Sequence, residues 1–395
     1  MIEYNGQYGK AKVMIDKIDS STVQQIYNMI NNEFFVNPVI IMPDCHAGKG
    51  SVIGFTMELG DKIIPNIVGV DIGCGILSIN IGKRIPGNIS MKELDEKIRD
   101  RIPFGTEAYR NGIFNAKDDT FWKNLNIKLR GFGKSYNKRM DMCYGIDEIG
   151  YDTFLNICEI IEMDPMRAFN SLGTLGGGNH FIELGKSKKE KDFWITVHSG
   201  SRQFGLKVAN YWQKVAGKGE MAYLEGNNMF SYLYDMVIAQ MYASENRHLM
   251  VSVILDILGL KGEDVKEYIT SIHNYINMND FIVRKGAISS YTGNKMIIPF
   301  NMEDGILICE GKSNSDWNYS APHGAGRVGS RSWAKKNLSI DDARKNMKRK
   351  GIYTSMLPHD EIKSAYKDPK IIEDSIDPTA EILDRIVPIL NLKDK

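Results

Sequence analysis

The sequence predicts an α+β fold held in a single large domain over 1–395. Three observations predict it. Short apolar runs bounded by Gly and Pro recur along the chain and read as strands. Helical signals fall between them without a βαβ rhythm, which speaks against a doubly wound parallel sheet. No internal repeat, low-complexity tract or Pro/Ser-rich linker divides the 395 residues, although a prior of roughly 150 residues per domain would allow two or three units.

The elements follow in order. Ser21–Ile30 reads as a helix with Val23, Ile26, Tyr27 and Ile30 on one face. Val39–Met42, Val52–Met57 and Ile76–Ile81 read as strands. Ser90-Met91-Lys92-Glu93 is a capping-box pattern opening a helix that stops near Pro103. Lys128, Arg130, Lys134, Lys138 and Arg139 occur without an acid, interleaved with Phe132 and Tyr136. They read as a solvated surface in preference to an RNA-contacting face. Phe193–Val197, Ile297–Ile298 and Ile306–Ile308 are further strands. Met229–Leu258 is the longest helical signal and contains no Pro or Gly. Thr379–Leu390 predicts a last helix, cut near its end by Pro388.

Composition bounds the class. The chain is 43% hydrophobic and 25% charged, enough for a sizeable core and against wholesale disorder. Lys and Arg number 50 against 49 acids, a net charge of +1. Any nucleic-acid contact therefore needs a local basic patch. No stretch approaches the ~20 apolar residues of a membrane span, and Met1–Lys12 has no signal-peptide core. The five cysteines are odd in number and scattered, which fits a reducing compartment and a cytoplasmic location.

The polar residues with chemical potential cluster in glycine-rich turns: Pro43–Gly50, Val70–Gly75, Gly176–His180, His198–Arg202 and Pro322–Arg327. Glycine at such density lets backbone approach a ligand closely. Asp71 and Cys74 are separated by two residues, so both can reach one metal centre. His180, His198 and His273 would complete its shell. Ligand softness alone suggests zinc, with the thiolate able to bridge two ions. No Gly-x4-Gly-Lys-Ser/Thr is present, which excludes a P-loop. Gly324–Gly329 matches Gly-x-Gly-x-x-Gly but follows no buried strand, so a dinucleotide fold is not indicated. Covalent nucleotide activation would fall to a histidine.

At these residues the sequence resembles the RtcB family of RNA-splicing and repair ligases. The resemblance rests on Pro43–Gly50, Val68–Gly75, Gly173–Glu183 and His198–Arg202, then His273–Tyr275, Arg284–Ala287, His323–Arg327 and Ala365–Asp368, in family order along essentially the whole chain. It implies mixed and antiparallel sheets flanked by helices around a central metal-lined cleft. It also implies a two-manganese centre, which displaces the zinc expectation. Cys74 would bridge, Asp71 and His180 would hold one ion, and His198 and His273 the other. His323 would attack the α-phosphate of GTP to give a histidine–GMP phosphoramidate. Glu183 would read guanine through its N1–H and N2–H donors, with Phe181 against the ring. Lys367 would donate to O6, and Asn179 with the Gly324-Ala325-Gly326 backbone would contact phosphate and ribose. Arg202, Arg327 and Arg331 would hold RNA-end phosphates, and Asp44 and His46 would orient these groups. The reaction implied joins RNA 3′-phosphate or 2′,3′-cyclic phosphate ends to 5′-hydroxyl ends. The partners implied are such tRNA or rRNA fragments, with room for an activating helper protein and no membrane.

The chain departs from the family pattern at three places. It reads Pro299-Phe300-Asn301-Met302-Glu303-Asp304 where members carry Pro-Gly-Ser-Met-Gly. Ile272 replaces a second histidine before His273, and Gly329 replaces a Met before Ser330. These differences indicate a divergent, somewhat shorter paralogue. They keep two alternatives open: a metal-dependent cyclic phosphodiesterase, and a non-sealing protein that binds RNA ends.

Overall fold

The computed structural model describes residues 1–85 and 89–395. Two sheets carry the architecture. The first runs, in space, Ile2–Asn5, Lys10–Val13, Val39–His46, Ile53–Glu58, Ile282–Lys285, Asn274–Ile276, and is antiparallel except between Lys10–Val13 and Val39–His46. The second is antiparallel throughout. Its seven strands run Glu267–Ile272, Gly75–Gly82, Phe193–Ser199, Phe181–Ser187, Ala380–Leu392, Ile306–Gly311, Lys295–Pro299. With helices packed around both sheets, this is the expected α+β fold.

The helices begin where local chemistry directs them. Ser20–Ile30 starts at Asp19, whose carboxylate accepts from the Thr22 backbone at 2.9 Å. Met91–Arg101 starts at Ser90, whose hydroxyl accepts from the Glu93 backbone at 3.1 Å. The basic run lies on the helix Asp119–Met140, where Phe132 and Tyr136 turn inward onto Phe230. Arg130 and Arg139 pair outward with Glu148 and Glu58. This is a solvated helix face over an aromatic core. The 32-residue helix Gly226–Ile257 is buried along most of its length and spans the molecule.

One face of the seven-stranded sheet, with Ile182, Leu184, Ile195 and Val197, packs against Leu94, Ile98, Met250 and Ile254 of two helices. The other face gathers Phe181, Trp194, Ile306 and Ile386 and leads toward the first sheet. Among the described residues no helix is long and apolar enough to cross a membrane. Cys45, Cys74, Cys158 and Cys309 are buried free thiols and Cys143 is exposed.

The last element corrects the sequence reading. Thr379–Leu390 is not a helix; the strand Ala380–Leu392 occupies it, between Phe181–Ser187 and Ile306–Gly311. Pro388, which would break a helix, sits at a β-bulge between Pro388 and Leu390. The bulge also reverses the phase of the strand. Before it, Ile386 faces the Phe181 side; after it, Leu390 and Leu392 face the Leu184 side. Asn391 is thereby turned to the face that carries Glu183, directly opposite it across the ladder.

Candidate active site

Antiparallel register alone gathers most of the expected metal ligands. Gly75 lies opposite both Ile272 and Ser199, and His198 opposite Phe181. Cys74, His273 and His180 therefore flank three adjacent strands at the same end of the sheet as His198, the last residue but one of a fourth. Cys74 Sγ is 3.5 Å from His180 Nε2 and 3.4 Å from His198 Nε2. His198 Nε2 is 3.3 Å from His273 Nε2, and His180 Nε2 is 3.1 Å from Asp71 Oδ2. The Cys74, His180 and His198 donor atoms lie within 4.8 Å of one another. Gly200 permits this approach, because a Cβ there would run into the Asp71 carboxylate.

The environment leaves these groups as lone-pair donors. Burial, reinforced by neighbouring cationic groups, holds His198 and His273 well below the usual imidazole range, so both rings are neutral. The Asn179 carbonyl, 3.1 Å from His198 Nδ1, can only accept, which fixes the proton there and aims the Nε2 lone pair inward. Burial and the Asp71 carboxylate push the Cys74 thiol well up; a divalent cation reverses that balance by stabilising the thiolate. Burial would raise Asp71, but hydrogen bonding from His180 brings it down to about 2. Neutral imidazoles, a thiol and a carboxylate facing one another at these distances fit a divalent transition metal, and hydrogen bonding alone cannot satisfy them.

A buried clamp behind the cluster escaped the sequence reading. Arg247, on the long helix, donates to the Gly73 and Ser199 carbonyls, both at 2.8 Å. Its neighbour Asn246 accepts from the Gly173 and Thr174 backbones and donates to Gly200 O. The available signal is a polar pair inside the longest helical stretch of the chain.

His323 stands beside the cluster, at the end of the short strand Ser320–Pro322. Its ring lies 4.9 Å from that of His273. Asp44, fully buried in the strand Val39–His46, approaches from the first sheet. Its Oδ2 is 2.6 Å from His323 Nδ1 and accepts from the His323 and Gly324 backbones at 3.2 Å. Gly326 closes the turn with φ +74°, and a Cβ there would strike the Asp44 carbonyl. His46 donates back to the Asp44 carbonyl at 3.1 Å, and burial pulls its ring down to about 4.

Beyond His323 opens a cavity of about 310 Å³. Asn179, Phe181, Glu183, Gly324, Ala325 and Gly326 line it, as do Arg327 and Arg331. Glu183 is 2% exposed and accepts from Asn391 at 2.8 Å. Burial pushes its carboxyl up to about 8, against the pull of Asn391 and Lys393. Lys393 donates to Glu361 at 2.9 Å and lies 5.4 Å from the centre of the Phe181 ring. Glu361 is 1% exposed and also pairs with Arg331 and Arg327.

Comparison with known proteins accords with this geometry. A family profile described as tRNA-splicing ligase RtcB matches residues 25–394. The chain belongs to the RtcB family. The RNA-splicing ligase RtcB of Escherichia coli (strain K12) is 31% identical over 383 residues, 89% of this chain and 88% of that protein. The tRNA-splicing ligases RtcB of Aeropyrum pernix and Nanoarchaeum equitans are 25% and 24% identical. They cover 83% and 91% of this chain, and 82% and 88% of their own lengths.

Two residues expected at this RtcB site stand elsewhere. Lys367 does not reach the cavity: its ammonium donates to the Cys45 carbonyl at 2.6 Å. The lysine lining the cavity is Lys393. Arg202 is spent on neighbouring loops, donating to Thr174 Oγ1 at 2.9 Å and to the Gly105 carbonyl at 2.5 Å. The departures from the family pattern are accommodated locally. Phe300 buries its ring in the cluster containing Ala325 and Leu307. Asn301 caps the turn by accepting from the Glu303 and Asp304 backbones. Gly329 leaves room for the Trp333 indole, which a Cβ would meet at 2.8 Å.

Proposed function

We propose that this chain is a GTP- and Mn²⁺-dependent RNA ligase joining 3′-phosphate or 2′,3′-cyclic phosphate ends to 5′-hydroxyl ends. One observation carries the reading: the His323 imidazole stands next to the thiol–imidazole cluster with a buried carboxylate at its Nδ1. Asp44 keeps the Nδ1 proton, so the Nε2 lone pair is free to attack phosphorus. Attack on the α-phosphate forms a P–N bond as the bond to pyrophosphate breaks. Metal held by Asp71, Cys74, His180, His198 and His273 would neutralise the triphosphate and the charge developing on it. The choice of manganese and the count of two ions come from the family resemblance.

Glu183 would accept the guanine N1–H and N2–H together, a donor pair adenine lacks. Lys393, in place of Lys367, would donate to O6, with Phe181 against the base. A cyclic end is first opened by water to a 3′-phosphate. An oxygen of that phosphate then takes GMP from His323, releasing the imidazole. The 5′-hydroxyl finally displaces GMP to leave a phosphodiester. Arg327 and Arg331, both on the cavity wall, would hold the RNA phosphates, each exchanging Glu361 for a phosphate oxygen.

Incubation with α-³²P-labelled GTP and Mn²⁺ tests this reading. A covalent label stable to base, labile to acid and absent from His323→Ala is expected. Opening of cyclic ends with no label under any divalent metal would overturn ligation and leave a phosphodiesterase.

A further inference from the structure

The base-facing wall carries a side chain to which no role has been given. Asn391 is 2% exposed and lies opposite Glu183 across the ladder. Its Nδ2 donates to Glu183 Oε2 at 2.8 Å. That bond sets the amide, its NH₂ edge facing the carboxyl oxygen that accepts from it. Its carbonyl oxygen is then committed to the opposite direction. Among the described residues, Asn391 Oδ1 and Glu183 Oε1 are both buried and both without a hydrogen-bond partner. Both residues line the cavity. Buried polar oxygens left without a partner are costly, and a ligand with matching donors removes that penalty.

We propose that Asn391 is a second base-reading residue, its side-chain carbonyl accepting a hydrogen of the guanine 2-amino group that Glu183 does not take. This rests on the nucleotide reading above and deepens it. Guanine presents N1–H and both hydrogens of its 2-amino group along one edge. A carboxylate can accept N1–H and one amino hydrogen, which leaves the other pointing past it. Asn391 offers an acceptor next to the carboxylate, and the bulge between Pro388 and Leu390 is what turns it to this face. Hypoxanthine keeps N1–H and O6 but has no 2-amino group. Its contacts with Glu183 and Lys393 are therefore partly preserved, while those to Asn391 are absent.

The test is equilibrium binding of GMP and IMP by calorimetry with the Mn²⁺-loaded protein, comparing wild type, Asn391→Val and Asn391→Ala. Valine suits a strand and removes the acceptor. Its preference for GMP over IMP should fall about five- to tenfold relative to wild type, the size of one neutral hydrogen bond. Alanine removes the same acceptor in a smaller side chain and should lower the preference by a similar factor, which guards against failure of the valine variant to fold. An unchanged preference in a folded Asn391→Val would overturn the inference and leave Asn391 as a support for Glu183. An unchanged preference in a folded Asn391→Ala would count against it equally. Wild type binding neither nucleotide would instead bring down the nucleotide reading, and this inference with it.

Discussion

Cys74, His180, His198 and His273 lie at the same end of four neighbouring strands of one sheet, so ordinary ladder hydrogen bonds are enough to set them side by side. The base-facing wall is assembled differently. Phe181 and Glu183 come from one strand; Asn391 and Lys393 come from the end of another, more than 200 positions away (391 − 183 = 208). They share a face only because a bulge shifts the phase between them. Ion pairs from Glu361 then fix the lysine. The contrast teaches that a cluster fixed by register is insensitive to events outside its sheet, whereas a wall fixed by a bulge and a buried charge network depends on distant segments.

Removing a member of the register-built cluster should have the largest effect. Cys74→Ala is expected to reduce guanylylation and sealing to background while circular dichroism and the thermal transition stay close to wild type, since the ladders remain. Near-normal labelling would dissolve the distinction. Second in size is the clamp. Arg247→Met leaves the Gly73 and Ser199 carbonyls unpaired and should lower unfolding free energy by about 3 kcal/mol, read from urea denaturation.

The wall should respond more mildly and with a pH signature. Glu183 sits at about 8 in the fold against an ordinary 4.5. The native state therefore holds the proton longer than the unfolded chain, and this contribution to stability falls as pH rises from about 4.5 to about 8. Glu183→Gln should flatten that decline in the nucleotide-free protein. In the proposed binding mode GMP takes the ionised carboxylate, so its affinity should rise over the same range in wild type and not in the variant. The smallest effect sharpens the boundary of the wall. Lys393→Met should weaken GMP binding about 10- to 100-fold, the loss of a charged hydrogen bond, whereas Lys367→Met should stay within about twofold.

The same contrast governs what the sequence discloses. Four of the five cluster ligands lie in glycine-rich turns, so Asp71, Cys74, His180 and His198, with His323 beside them, announce themselves by local pattern, whereas His273 has no glycine near it. Family resemblance adds Asp44, Glu183 and Phe181. Asn391 and Lys393 sit in no motif. Ile382, Leu383, Ile386 and Leu390 recur at helical spacing, and that periodicity hides a strand whose phase changes midway. Arg247 offers only the faint signal of a polar pair in the long helix, because a buried arginine paired with carbonyls leaves no acidic partner in the sequence to betray it. The short strands and the long helix follow from apolar runs and caps, but the order in which strands join the two sheets depends on contacts far apart in sequence.

The bulge between Pro388 and Leu390 makes chain length at this point matter more than residue identity. Inserting one residue after Ile389, with the single bulge kept, would swing Leu390 and Leu392 into the cavity and drive a lysine ammonium into the apolar layer beneath. In descendants of this chain the segment can therefore drift in composition, while the gain of a single codon should be purged.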